Sequence, residues 1–227
     1  IHDGMELEII GDLTLENGSL NTGMGVLSLT GDLTEAGGEL IAADGGLVRL
    51  NGASAQTLTG DFDFYDLTVE NTTSPPSDDQ AVWATSPLGV RNSLRVLDGR
   101  FQPPACSDFH HVEIGEEGQL APTGTDCGGA ITVSGNWSQQ GQFEAGGPVI
   151  FDGTAGQTIS GAAHLDRLVV ANSSAEGVNS AGPLIVDTQL SVTGRLSLGG
   201  VSDLSSVEIL SEAELSIQSG GILYVSG

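Results

Sequence analysis

The sequence predicts an all-β chain folded as a right-handed parallel β-helix, a β-solenoid with coils of roughly 20 residues. Three observations predict it. First, the stretch VRLNGASAQTLTGDFDFYDLTVENT (48–72) returns as VIFDGTAGQTISGAAHLDRLVVANS (149–173). Val48, Gly52, Gln56, Thr57, Gly60, Leu67, Val69 and Asn71 meet Val149, Gly153, Gln157, Thr158, Gly161, Leu168, Val170 and Asn172 at a constant offset of 101. Second, 34 glycines and an aromatic content of 4% suit many short strands broken by tight turns. Third, no apolar stripe of 3.6-residue period runs long enough to make a helix.

The elements follow in order. Residues 5–31 alternate, with Leu7 and Ile9, then Leu13 and Leu15, then Leu20, then Leu27 and Leu29, interrupted by Gly11, Gly18, Gly23, Gly25 and Gly31. Two or three alternating apolar residues followed by glycine make a short strand and a turn. GDLTEAGGELIAADGGLVRLNG (31–52) keeps this rhythm and returns, three residues shorter, as GNWSQQGQFEAGGPVIFDG (135–153). The long repeated stretch follows. AVWATSPLGV (81–90) then aligns with GVNSAGPLIV (177–186), NSLRVLDGRF (92–101) with TQLSVTGRL (188–196), and HVEIGEEGQL (111–120) with SVEILSEAEL (206–215). AITVSG (130–135) closes the first long copy as ILYVSG (222–227) closes the second. The chain thus divides into a partial repeat (1–31) and two long repeats (31–135 and 135–227) within one solenoid domain of 1–227. Slippage of repeat length favours a solenoid, which takes loops outward without disturbing its stack, over a β-sandwich.

The pattern FxGxxxQTIxG…LxVxN, followed by spaced aliphatic residues and glycines, resembles the parallel β-helix repeats of large bacterial cell-surface and secreted proteins. Adhesins and autotransporter-like passengers are familiar members. The resemblance covers nearly the whole chain and implies a fold and a cell-surface setting. Its motifs are structural, so it transfers no catalytic residue.

Charge excludes some partners. Thirty acidic residues face six arginines and no lysine, giving a net charge of −24. Nucleic acid and anionic membranes need a basic footprint, so neither is an expected partner. No apolar run of membrane-spanning length occurs, and no membrane insertion is expected. Carboxylates in such number raise the question of Ca²⁺, but no EF-hand loop and no GGxGxD repeat is present. No cofactor is expected. IHDGMELEII begins inside the strand pattern, which reads as a mature product or an excised segment of a longer protein. Both termini stop within the repeat without a polar cap, which raises end-to-end self-association as an expectation.

Cys106 and Cys127 lie 21 residues apart without a CxxC or Cys/His ligand set. They read as a disulfide joining neighbouring coils, which places the chain at the cell surface or outside the cell. Four N-x-[ST] triplets begin at Asn17, Asn71, Asn136 and Asn172. Asn71 and Asn172 are equivalent strand ends and read as turn residues rather than glycosylation acceptors.

Candidate chemistry is sparse. The carboxylate pairs Asp61/Asp63, Asp78/Asp79, Glu116/Glu117 and Glu212/Glu214 are candidate acid–base pairs, but a solvated outer face is the stronger reading of each. Arg91, Arg95 and Arg100 fall in an alternating strand, with Leu94 and Val96 inward and Arg95 outward. The adjacent His110 and His111 lack a third metal ligand in the sequence, and there is no GxSxG. Thr57–Thr59, the one TLT triplet, does not recur on every coil, so an ice-binding face is not supported.

The repeats disagree most at SPPSDDQ (74–80), an insertion just before Val82 and Trp83. Val82 is expected to face the core, which turns Trp83 outward. An exposed tryptophan beside Asp78 and Asp79 can stack on a sugar ring whose hydroxyls the carboxylates accept. The alternative is that the loop buries Trp83. Trp137, standing where the first copy has Leu33, reads as core packing. The functional expectation is a non-enzymatic, extracellular structural or adhesive segment that meets glycans or a host or neighbouring cell surface. The alternative is a carbohydrate-binding or polysaccharide-degrading β-helix.

Overall fold

The computed structural model describes residues 1–72, 81–144 and 146–225. It is an all-β parallel solenoid of about 11 turns. Every strand pairing among the described residues is parallel, which rules out the antiparallel sandwich.

Each turn is built from three short strands, and like strands stack into three faces. On the first face the ladder runs from Leu7 to Leu27, Val48, Leu67, Leu94, Val112, Trp137 and Ile159. It continues through Ser180 and Leu198 to Ile217. The second face stacks Leu13 on Leu33 and Leu58, and Val82 on Phe101, Leu120 and Phe143. Further along, the same face stacks Leu165, Val186, Leu204 and Val225. The third face runs Phe64, Val90, Phe109, Val133, Phe151, Val170, Val192 and Ile209.

The period of two explains why the stack forms. Through the middle turns the inward residues are mostly Leu, Val, Ile and Phe at or near full burial, whereas at the two ends Leu7, Ile209, Ile217 and Val225 are exposed. In the long strand Gly89–Gln102 the alternation gives buried Leu94 and Val96 on either side of exposed Arg95. Trp137 is fully buried, with its ring edge-on to Phe143 at 5.0 Å and to Phe151 at 6.4 Å. One side chain therefore fills the junction of all three faces, the packing role expected of it.

The sequence repeat is out of phase with the coil. Val48 lies on the first face, whereas its equivalent Val149 lies on the third. Leu58 is on the second face and Ile159 on the first. Phe64 is on the third face and Leu165 on the second. The two copies thus present the same local structure on different sides of the rod.

Two polar clusters recur with the repeat. Gln56 is fully buried; its Oε1 accepts from Gly52 N (2.9 Å) and its Nε2 donates to Leu29 O and Gly31 O in the preceding coil (3.1 and 2.9 Å). Asn71, in the following coil, donates from Nδ2 to Gln56 Oε1 and to Ser54 O. Gln157 repeats this with Gly153 N, Val133 O, Gly135 O and Asn172. Each glutamine ties three consecutive coils at a corner where the strand ladder turns. Because Asn71 and Asn172 are buried in these clusters, neither side chain is presented for glycosylation.

Cys106 and Cys127 form a disulfide between consecutive coils, beside the isolated bridge Pro104–Thr123.

Candidate functional site

The ladder is not continuous on every face. The strand Glu39–Ile41 pairs only with Ser19–Asn21, and together they form a separate two-stranded sheet. The next third-face strand, at Asp63 and Phe64, pairs onward only, with Gly89 and Val90. The second copy breaks at the equivalent point. Gln142–Phe143 pairs only with Gln119 and Leu120, and Ala163–Leu165 pairs only with Leu184–Val186. Leu40 and Phe143 are repeat equivalents, as are Asp63 and His164, so the gap belongs to the repeat.

The two gaps are closed differently. In the first copy Arg91 reaches across, with Nη1 to Asp44 at 2.5 Å, Nη2 to Ala42 O at 2.5 Å and Nε to Asp63 at 3.1 Å. Its guanidinium also lies 5.6 Å from the centre of the Tyr65 ring. The hydrogen bond that Arg91 donates to Asp44 outweighs burial and holds the guanidinium above its ordinary pKa. In the second copy the residue equivalent to Arg91 is Asp187. It turns to its own side of the gap, where Oδ2 meets His164 Nε2 at 2.7 Å. The ion pair Asp63–Arg91 is thus replaced by the hydrogen-bonded contact His164–Asp187, with the carboxylate now at the position of the arginine.

Without the arginine the second gap stands open as a cleft of ≈ 480 Å³. One lip carries Phe143, Glu144 and Gly146, and the other carries His164, Asp166 and Asp187. Ala121, Pro122 and Thr123, which lead into the disulfide loop, form an end wall. Arg100 arches over from an earlier turn to Glu144 (3.5 Å). Asp166 accepts from Thr188 Oγ1 and lies 3.6 Å from Arg167 Nε. Arg167 also touches the far lip through Gly146 O at 3.5 Å. Beneath the cleft, Gln139 Oε1 accepts from His164 N and Trp137 Nε1, both at 3.3 Å, replacing part of the missing ladder.

Of the residues expected from sequence, Trp83 is exposed (36%) beside fully buried Val82. It lies on the second face, in register with Thr57 on one side and Gln102 on the other. Asp78 and Asp79 lie outside the described residues, so their relation to Trp83 is not part of the structure. Asp61 and Asp63 share an exposed face on either side of buried Phe62. Asp63 pairs with Arg91 and Glu214 with Arg195 (3.1 Å each), while Glu116, Glu117 and Glu212 are exposed. All six arginines lie within 4 Å of a carboxylate, Arg49 with Glu6 and Arg95 with Glu113 among them.

The histidine pair sits elsewhere, with rings 4.2 Å apart. His110 Nδ1 meets Ser134 Oγ at 3.0 Å, and His111 Nδ1 accepts from Asn136 N at 2.8 Å. Burial, with the charge of His110 second, holds His111 below the usual histidine value. Among the described residues no group of three or more His, Cys, Asp or Glu is placed to hold a metal ion.

Sequence reasoning missed Glu144, His164, Asp166 and Asp187. The signal was available in the alignment of the copies, where Asp63, Tyr65 and Arg91 are answered by His164, Asp166 and Asp187. Charged pairs close in sequence do not reveal them, because these four residues come from three successive turns. Comparison with protein-family models, with curated proteins and with solved structures finds no match to this chain.

Proposed function

We propose that the chain is a non-enzymatic, extracellular structural and adhesive segment, a rigid parallel stack that displays binding surfaces at the cell exterior. The observation that carries this reading is the covalent and polar bracing of consecutive coils. A disulfide joins two neighbouring turns, and each glutamine cluster ties three. A disulfide between coils is useful in an oxidising setting and would not persist in a reducing cytosol. The acidic, lysine-free surface supports the same setting, since high like charge keeps an exposed protein soluble and unaggregated.

Two measurements test this, the first on the protein from its producing cell and the second on the purified protein. Maleimide–polyethylene glycol labelling under denaturing conditions should modify neither cysteine until a reductant is added. Full modification without reductant overturns the extracellular assignment. Incubation of the purified protein with plant, algal, fungal and bacterial polysaccharides should release no new reducing ends. Reducing ends that appear with the wild-type chain would sink the non-enzymatic reading.

A further inference from the structure

We infer that the open cleft of the second copy is a binding site for a neutral oligosaccharide, a ligand that extends the adhesive part of the reading above. Three features point there. The chain supplies its own control: the same gap in the first copy is bridged by Arg91 to Asp44 and Ala42, and the second copy has Asp187 in that position. The second copy keeps continuity at the base and edge of the gap, through Gln139 Oε1 with His164 N and Arg167 with Gly146 O, and leaves the mouth without the Arg91-type bridge.

The lining matches a sugar. Phe143 and Pro122 offer apolar surface to the C–H face of a pyranose ring, and Glu144, Asp166 and Asp187 accept hydroxyl protons. Asp187 is held by His164 through Oδ2, which leaves Oδ1 to accept from a ligand. Each carboxylate is already steadied by a partner: Glu144 by Arg100, Asp166 by Thr188 and Asp187 by His164. Fixed acceptors of this kind suit hydroxyl recognition better than cation capture, which needs several converging oxygens.

The charge of the molecule selects the class of sugar. A net charge of −24 repels uronate and sulfated polysaccharides, and carboxylates already paired within the protein offer little to a cationic sugar, so a neutral sugar is the class that fits. The cleft also lies on the second face, the face on which Trp83 stands exposed three turns away.

Isothermal titration with neutral tetrasaccharides of glucose, mannose and N-acetylglucosamine, in both α- and β-linkages, tests the site, with tri-galacturonate as the anionic control. At least one neutral probe should bind saturably, and tri-galacturonate should not. Asp187→Arg, which restores the first copy's bridge, and Asp166→Asn should each weaken binding at least tenfold. Both positions are at the surface, and an unchanged thermal transition would show that the fold is kept. Absence of saturable binding by every neutral probe overturns the cleft assignment and leaves the structural reading standing. Binding lost in Trp83→Ala but unchanged in Asp187→Arg also overturns it, by moving the site to the tryptophan. Release of shorter sugars from a bound probe would end the non-enzymatic reading while keeping the cleft as the site.

Discussion

Asn172 donates from Nδ2 to Oε1 of Gln157 at 2.7 Å, and both side chains are almost wholly shielded from water. Gln157 spends its own amide on Val133 O and Gly135 O, at 2.9 and 2.6 Å. Replacing it with leucine would leave Gly135 O, the Gly153 N–H and one Asn172 proton without this partner, while Val133 O keeps its bond from Asp152 N. Buried polar groups left unmatched cost about 1–3 kcal/mol each before relaxation. Gln157→Leu should therefore destabilise the protein by roughly 3 kcal/mol or more, read from the midpoint of denaturant unfolding. A loss under about 0.5 kcal/mol, the range of an ordinary surface change, would show that the cluster is not a stabilising element.

Gly153 is part of the same corner. A Cβ built there would sit 2.4 Å from Ser134 O and 2.8 Å from the Gln157 amide carbon. Neither can retreat without breaking the cluster. Gly153→Ala is expected to cost as much as loss of the glutamine, about 2–3 kcal/mol. Gly146→Ala is the control, since nothing lies within 4 Å of its Cβ position and its φ is not positive. That change should be neutral or stabilising by about 0.4–1 kcal/mol through the unfolded chain. Equal effects at the two positions, measured by thermal melting, would refute the steric account.

Much of the fold was legible because it depends on period and repetition. The alternation that places Val82 inward and Trp83 outward is a property of two adjacent residues, as is that of Leu94, Arg95 and Val96. The glutamine and asparagine of the repeat stood out as matched letters, although their reason appears only when three coils are stacked. The face on which each copy lies was not legible. It depends on the summed length of every intervening turn, and a sequence insertion such as 74–80 changes that length without changing any strand pattern. The cleft was hidden for the same reason. His164 and Asp187 are 23 residues apart in sequence and meet only because one coil separates them. What the sequence did show was the exchange of Asp63 and Arg91 for His164 and Asp187, visible once the copies are laid side by side.

The disulfide closes a loop of 21 residues between neighbouring coils. Chain-entropy reasoning assigns such a cross-link roughly 3 kcal/mol. The double variant Cys106→Ser/Cys127→Ser should unfold at correspondingly lower denaturant and remain folded at 25 °C, since the ladders and the glutamine clusters are untouched. Because Ala121, Pro122 and Thr123 lead into this loop, hydrogen exchange should quicken there first. Uniform loss of protection along all eleven turns would show instead that the staple holds the entire stack rather than one corner.

Stability should also fall as the solution is acidified through the histidine range. His111 accepts the Asn136 N–H through Nδ1, so its neutral form is the one the fold uses. Burial, then the neighbouring charge of His110, pushes its pKa below the usual value. An unfolded histidine takes its proton near about pH 6.5. Between that value and the lower folded one, the unfolded chain binds the extra proton, so unfolding becomes easier as pH drops. The contribution is complete above about pH 6.5 and is lost below it, at no more than about 1.4 kcal/mol per pH unit for one proton. Asp152 acts with the opposite sign: burial, then the charge of Asp108, raises its pKa, so its part favours the folded state in acid and is lost as pH rises through the folded value. The two separate by mutation. His111→Asn keeps an acceptor at the δ position and cannot titrate, so the fall in melting temperature between pH 7.5 and 5.5 should be shallower in this variant. An unchanged slope would mean that His111 keeps its ordinary pKa in the folded chain and that the acid sensitivity arises elsewhere.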